Sequence, residues 1–272
     1  MKWSNQPGML SWFYFLGIFA AIAFCALGVF LGKKYPVRKC ERKSTTIIFI
    51  TEMVLVTIEL FKQIFLAASN SYYDWNNFPF QICSMIVYVL PILLISKNEL
   101  EKEAVQGFIV FFCLAGAVFY FFKPAAALKT PYILISLQSF LWHWLIIGIG
   151  SFIVSSYELF KKKQLHILLG GYALFITIAI LAAIIDYNAY LKNPNLGLNY
   201  FYIAYGQKPF YPILNLIFTT YKPYFLYFGC FIIYFGIGAL AIYGISVLVH
   251  IVLEKVFKFG ERRIEKAPNS QL

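Results

Sequence analysis

Four ionisable or nucleophilic side chains sit inside apolar stretches of this sequence, where such groups are costly, and together they could do chemistry. Cys83 closes the stretch Asn77-Phe78-Pro79-Phe80-Gln81-Ile82-Cys83 just inside an apolar run. His143 stands between Trp142 and Trp144 in a second run, and Glu59 and Lys62 lie in a third. A cysteine, a histidine and a carboxylate that meet form the arrangement used for nucleophilic acyl transfer. The thiolate attacks a carbonyl carbon, the imidazole takes and returns the proton, and the acid fixes the ring tautomer. Glu59 is the candidate acid, orienting the ring or balancing charge. Each residue also has a plainer reading. A cysteine in an apolar helix packs as a small hydrophobe, a histidine between tryptophans can be a satisfied core group, and Glu59 and Lys62, three apart on a helix, can neutralise each other.

The medium that must hold these groups follows from composition. Of 272 residues, 61% are hydrophobic and 13% charged, against roughly 25% charged in a soluble domain. Mean hydropathy is +0.71. This is an all-α, polytopic membrane bundle. Seven runs qualify as spans: 9–32, 45–69, 79–96, 104–122, 133–156, 165–185 and 224–253. Residues 1–255 form one transmembrane domain and 256–272 a basic tail. The first run is too long for a signal sequence and lacks a cleavage site, so it is expected to stay as a helix. Residues 186–223 form a long segment rich in Tyr, Asn and Pro, with an interfacial piece expected around Ile213 to Thr219.

Charge sets the expected orientation. The net charge of +11 would suggest nucleic acid in a soluble protein. Here the Lys and Arg residues crowd into alternate loops and the tail, which reads as topology and contact with anionic lipid, not nucleic-acid binding. The loop Lys33 to Lys43 is cytoplasmic, so the N-terminus lies outside and the C-terminus inside. The site of action is the cell membrane. The five cysteines show neither C-x-x-C nor zinc spacing, so no disulfide framework, metal or cofactor is expected. His166 lies beside the Lys161-Lys162-Lys163 run, at the wrong depth to join Cys83 and His143 around a metal. Oligomeric state is not set by the sequence.

Depth can be counted from the last cytoplasmic basic residue of each run. At 1.5 Å per helical residue, Glu59 lies about 24 Å above Lys43, Lys62 about 28 Å, Cys83 about 21 Å above Lys97 and His143 about 27 Å above Lys161. The four fall in one slab about 7 Å thick in the outer half of the membrane. Glu52, Glu59, Lys62 and Gln63 share one helix face. A site at this depth meets phospholipid ester carbonyls, and Lys62, Lys208 or Lys222 could hold a phosphate.

Three ordered segments resemble the transmembrane protein 164 / YwaF-like membrane family. Trp75 to Ser84 is similar to its Leu-Pro-apolar-His-Leu-Cys pattern, with Gln81 where that histidine stands. Gln138 to Ile146 is similar to its His-bearing helix. Gly197-Leu198-Asn199-Tyr200, Lys208-Pro209 and Leu214-Asn215 are similar to its Asn-Tyr … Lys-Pro … Leu-Leu-Asp/Asn loop, and Glu59 falls where the family has a glutamate. The resemblance covers residues ~50 to ~225 and implies an integral membrane acyltransferase. Cys83 would form an acyl-cysteine from a phospholipid and pass the chain to a lysophospholipid, with His143 as base. The partners it implies are membrane phospholipids and lysophospholipids. Gln81, Gln138, Lys62, Lys208, Asn199 and Tyr200 are the candidate substrate contacts, the last two as oxyanion or head-group donors. More distant relatives, androgen-induced-gene-type lipid hydrolases, imply water as a possible acceptor. The rival class is a transporter or permease using Glu52, Glu59 and Lys62 as an intramembrane relay.

Overall fold

The structure is a computed structural model that describes residues 11–69, 73–122, 128, 130–159, 165–205, 207–218 and 223–265. Lys161, Lys162, Lys163, Lys222 and the end of the expected tail beyond 265 lie outside the described residues.

Helix α1, Trp12–Lys34, begins where the Ser11 hydroxyl accepts from the Tyr14 amide at 3.3 Å and ends at Lys33 and Lys34. Such a serine cap and terminal lysines complement the free ends of the helix. Helix α2, Val37–Ser69, starts directly after Pro36 and bends at Cys40 (φ −138°, ψ 43°). The Ser44 hydroxyl donates to the Tyr35 carbonyl at 2.7 Å across that bend. Most of the basic stretch expected as a loop is therefore helical.

The third run departs most from expectation. Proline disfavours helix in the residue before it, and Phe78 before Pro79 is extended (φ −59°, ψ 138°). Turns follow through Met85, and regular helix α3 is only Ile86–Ile95. Ten residues span about 15 Å, half of a hydrocarbon core. Among the described residues, six helices are long and apolar enough to cross a membrane, with α3 as a shorter seventh.

Helix α4, Glu99–Tyr120, contains a π-helical turn over Ile109–Leu114. Helix α5 is Ile133–Ser156 and α6 is Leu165–Lys192. A short helix α7, Pro212–Ile217, lies where the interfacial piece was expected. Helix α8, Tyr224–Glu265, runs past the expected boundary at 255.

Small residues set the closest helix contacts. A Cβ on Gly28 of α1 would lie 2.2 Å from the Gly148 carbonyl oxygen of α5. One on Gly107 of α4 would lie 2.0 Å from the Ile167 carbonyl oxygen of α6. In lipid the hydrophobic effect does not hold helices together, so backbone approach of this kind supplies the packing. Phe19, Leu216 and Phe225 face outward, as lipid-facing side chains do.

Candidate functional site

Cys83 sits on the irregular lead into α3, on turns closed by Ser84 and Met85 amides bonding to the Gln81 carbonyl at 2.8 and 3.0 Å. Its half-buried thiol packs against Gly116 of α4, where an added Cβ would come within 2.8 Å of Sγ. The preceding carbonyl, Ile82, accepts from the buried Cys113 thiol at 3.5 Å. Cys113 belongs to the π-helical turn. Such turns widen the helix locally and recur at functional sites.

His143 lies on α5. Its ring stacks on Tyr120 of α4, with centroids 3.6 Å apart and planes 5° from parallel. Nδ1 is 2.6 Å from the Ser139 carbonyl one turn back. A carbonyl only accepts, so Nδ1 carries the hydrogen, and in the neutral ring Nε2 is the lone-pair nitrogen. The Tyr120 hydroxyl is 2.8 Å from the Ser139 hydroxyl, which fixes the ring's platform. Gly116 and Tyr120 are four residues apart, so they share a face of α4 about 6 Å apart along its axis. The structure thus sets the thiol and the imidazole against one face of one helix, a turn apart. They are not hydrogen-bonded to each other. Next to the histidine, the Trp144 indole donates to the Gly17 carbonyl at 2.8 Å and ties α5 to α1.

Glu59 does not orient His143; the Ser139 carbonyl does. The glutamate is buried, its Oε1 2.6 Å from Lys62 Nζ. Gln63 donates to the same oxygen and, at 2.8 Å, to the Asn77 carbonyl, while accepting from the Tyr73 hydroxyl. Glu59 therefore balances charge and anchors the loop leading to Cys83. Lys62, expected as a phosphate contact, is held in this pair. Glu52 is buried about two turns along the same helix, and its Oε2 has no hydrogen-bond partner among the described residues.

Asn199 and Tyr200 are brought to the Cys83 loop and brace it. Gln81 Nε2 donates to the Asn199 carbonyl at 3.0 Å. Asn76 accepts from the Asn199 amide at 2.9 Å and donates to the Gly197 carbonyl at 3.2 Å. The Asn199 side-chain oxygen accepts from the Ala204 amide at 2.9 Å, and the Tyr200 hydroxyl donates to the Trp75 carbonyl at 3.1 Å. These bonds occupy the Tyr200 hydroxyl and the Asn199 side-chain oxygen. Burial and the nearby Asp186 push the Tyr200 phenol up to about 12, so it remains a neutral donor. Asp186 reads in the sequence as an ordinary loop polar. It is instead buried near the C-terminal end of α6 and accepts from the Tyr200 amide at 3.1 Å. Gln138 is buried on α5, five residues before His143, and Lys208 is exposed on the segment between α6 and α7.

Gly116, Tyr120, Ser139, Cys113 and Asn76 are site residues that sequence reasoning passed over. Only Ser139 carried a signal, because a carbonyl four residues before a helical histidine lies on the same face and can accept from its ring.

A multi-helix membrane protein that gathers a thiol and a tautomer-fixed imidazole against one helix face is the class this fold and site define. The chain belongs to the TMEM164 family, which it matches over residues 3–251. Comparison with curated proteins and with solved structures gives no match.

Proposed function

We propose that this protein is an acyltransferase of the cell membrane that moves an acyl chain between phospholipids through an acyl-cysteine on Cys83. The observation that carries this reading is the shared face of α4, with Cys83 Sγ against Gly116 and the His143 ring on Tyr120. His143 is ready to serve as base, because Ser139 holds Nδ1–H and leaves Nε2 to accept. With a substrate ester between the two groups, Nε2 takes the thiol proton as Sγ bonds to the carbonyl carbon. Catalytic hydrogen bonds that are long in a free enzyme tighten in such a complex. The tetrahedral intermediate then expels the glycerol oxygen, which takes the proton from His143 and leaves as lysophospholipid. In the second half, a lysophospholipid hydroxyl attacks the thioester, its proton passes to His143, and the returning thiolate recovers it. Lys208 offers a positive charge to the head group.

Orientation follows the basic loops, with the N-terminus outside and the site in the outer half of the membrane. The test is acyl exchange by purified protein in vesicles. A phospholipid labelled in one acyl chain is supplied with unlabelled lysophospholipid of a different head group. The expected result is label in the second phospholipid, abolished in Cys83→Ala and reduced about 10²–10⁴-fold in His143→Gln, as for loss of a general base. Label released as free fatty acid would assign the same site to hydrolysis. No turnover of either kind sinks the reading.

A further inference from the structure

A groove lies between α2 and the end of α3 opposite Cys83. It has a volume of about 490 Å³ and is lined by Glu41, Arg42, Thr45, Thr46 and Phe49 of α2 and by Leu94 of α3. Arg42, Thr45, Thr46 and Phe49 take the i, i+3, i+4 and i+7 positions, so they stand on one side of the helix. A second groove of about 280 Å³ begins at the same Phe49 and continues past Met53 and Val54 to Thr57 and Ile58. From Phe49 to Ile58 the helix rises about 14 Å, close to the roughly 15 Å of hydrocarbon in one leaflet. A polar end joined to an apolar run of this length has the proportions of a phospholipid head and one acyl chain.

The polar end carries one charge of each sign. Glu41 and Arg42 are exposed, and neither is in an ion pair among the described residues. The neighbouring Lys43 is drawn over the Tyr35 ring, 5.3 Å from its centroid. Thr46 donates its hydroxyl hydrogen to the Arg42 carbonyl at 2.8 Å, which leaves its oxygen to accept. The Thr45 hydroxyl has no hydrogen bond among the described residues. A guanidinium and a hydroxyl donor suit a phosphate, and a carboxylate with a hydroxyl acceptor suits a primary ammonium. A purely anionic head group would set like charge against Glu41, and a choline would offer that carboxylate no N–H. Basic pockets between helices near a membrane surface are known to bind lipid head groups.

We propose that this groove holds a phospholipid with a phosphoethanolamine head group: its phosphate on Arg42 and Thr45, its ammonium on Glu41 and Thr46, and one acyl chain along Phe49 to Ile58. The lipid lies in the leaflet away from Cys83, the cytoplasmic one in the orientation inferred above. This is a second lipid site, separate from the thiol, and its occupancy does not depend on acyl transfer.

The test mixes purified protein in detergent with equal amounts of phosphatidylethanolamine, phosphatidylcholine and phosphatidylglycerol of the same acyl chains, and counts bound lipid by native mass spectrometry. The wild type is expected to retain phosphatidylethanolamine over phosphatidylcholine by about 1.5–5-fold, the range for one exposed charge pair. Arg42→Gln should weaken phosphatidylethanolamine binding about 5-fold, the contribution of one basic residue at a lipid surface. Glu41→Gln should erase the difference between the two lipids while both still bind. Lys97→Gln, at an exposed position just past α3 and outside the groove, should change little. All three positions are exposed, so the thermal midpoint without added lipid should match wild type. Retention of phosphatidylglycerol above phosphatidylethanolamine, or equal losses in Lys97→Gln and Arg42→Gln, would mean diffuse charge attraction and overturn the site. Equal retention of phosphatidylethanolamine and phosphatidylcholine by wild type would overturn the head-group assignment.

Discussion

Gly116→Ala is the most direct perturbation of the site's geometry. The added Cβ would lie 2.8 Å from Cys83 Sγ, whereas ordinary non-bonded contacts fall near 3.5–4.0 Å. The two atoms must therefore separate by about 1 Å. The obstacle is the end of a side chain on an irregular turn, not backbone, so the thiol gives way while the helices stay in place. Overpacking of this kind costs about 1–3 kcal/mol, and a displacement of about 1 Å at a reacting atom costs about 10²-fold in rate. In a detergent-solubilised sample, Gly116→Ala is expected to keep a cooperative thermal transition and lose about 10²-fold in acyl-adduct formation. Gly107→Ala is the contrast. Its Cβ would meet the Ile167 carbonyl oxygen at 2.0 Å, and two backbones cannot part without opening the α4–α6 contact, so the fold itself should fail. A Gly116→Ala protein with a full rate would refute the idea that Cys83 works from this position.

Three further outcomes are expected. Removing one partner of a buried ion pair costs about 3–5 kcal/mol, and replacing both is often neutral; Lys62→Met alone should therefore lower the unfolding midpoint sharply, and Glu59→Gln combined with Lys62→Met should restore most of it. Trp144→Phe removes the bond to the Gly17 carbonyl and should lower stability by about 1 kcal/mol without slowing adduct formation, as measured by unfolding and by acylation in the same sample. Asn76→Ala removes its two bonds to residues 197–199 and should raise amide exchange across 197–204 by roughly 5–150-fold, corresponding to about 1–3 kcal/mol, with little change in α1.

The membrane fold was legible because hydropathy and basic loops report on lipid directly. Helices α1, α2, α5, α6 and α8 fall on the expected runs, and Pro212–Ile217 forms where an interfacial piece was read. What the pattern missed depends on contacts made across the chain. Counting Cys83 by helical rise assumed helix from Pro79, but the chain there is extended and turned, with Gln81 bonded to Asn199. The π-helical turn at Ile109–Leu114 has no mark in a run of apolar residues. Tyr120 is the platform for His143 only because α4 and α5 meet there, and no spacing within either helix predicts that. Glu59 was read as a buried carboxylate that either orients His143 or balances Lys62, and only the structure chooses the pair with Lys62, because depth fixes height in the membrane and not the direction a side chain faces. Asn199 and Tyr200 were found at the site, but their part in bracing the Cys83 loop was not legible, since that loop exists only in three dimensions.

The central claim is an acyl chain carried on Cys83, with His143 as its base. Peptide-resolved mass spectrometry after brief incubation with a defined phospholipid tests it most directly. The account predicts one acyl mass on the peptide bearing Cys83, removed by neutral hydroxylamine and much slower to appear in His143→Gln. An acyl mass on another cysteine, or turnover that persists in Cys83→Ala, would contradict it.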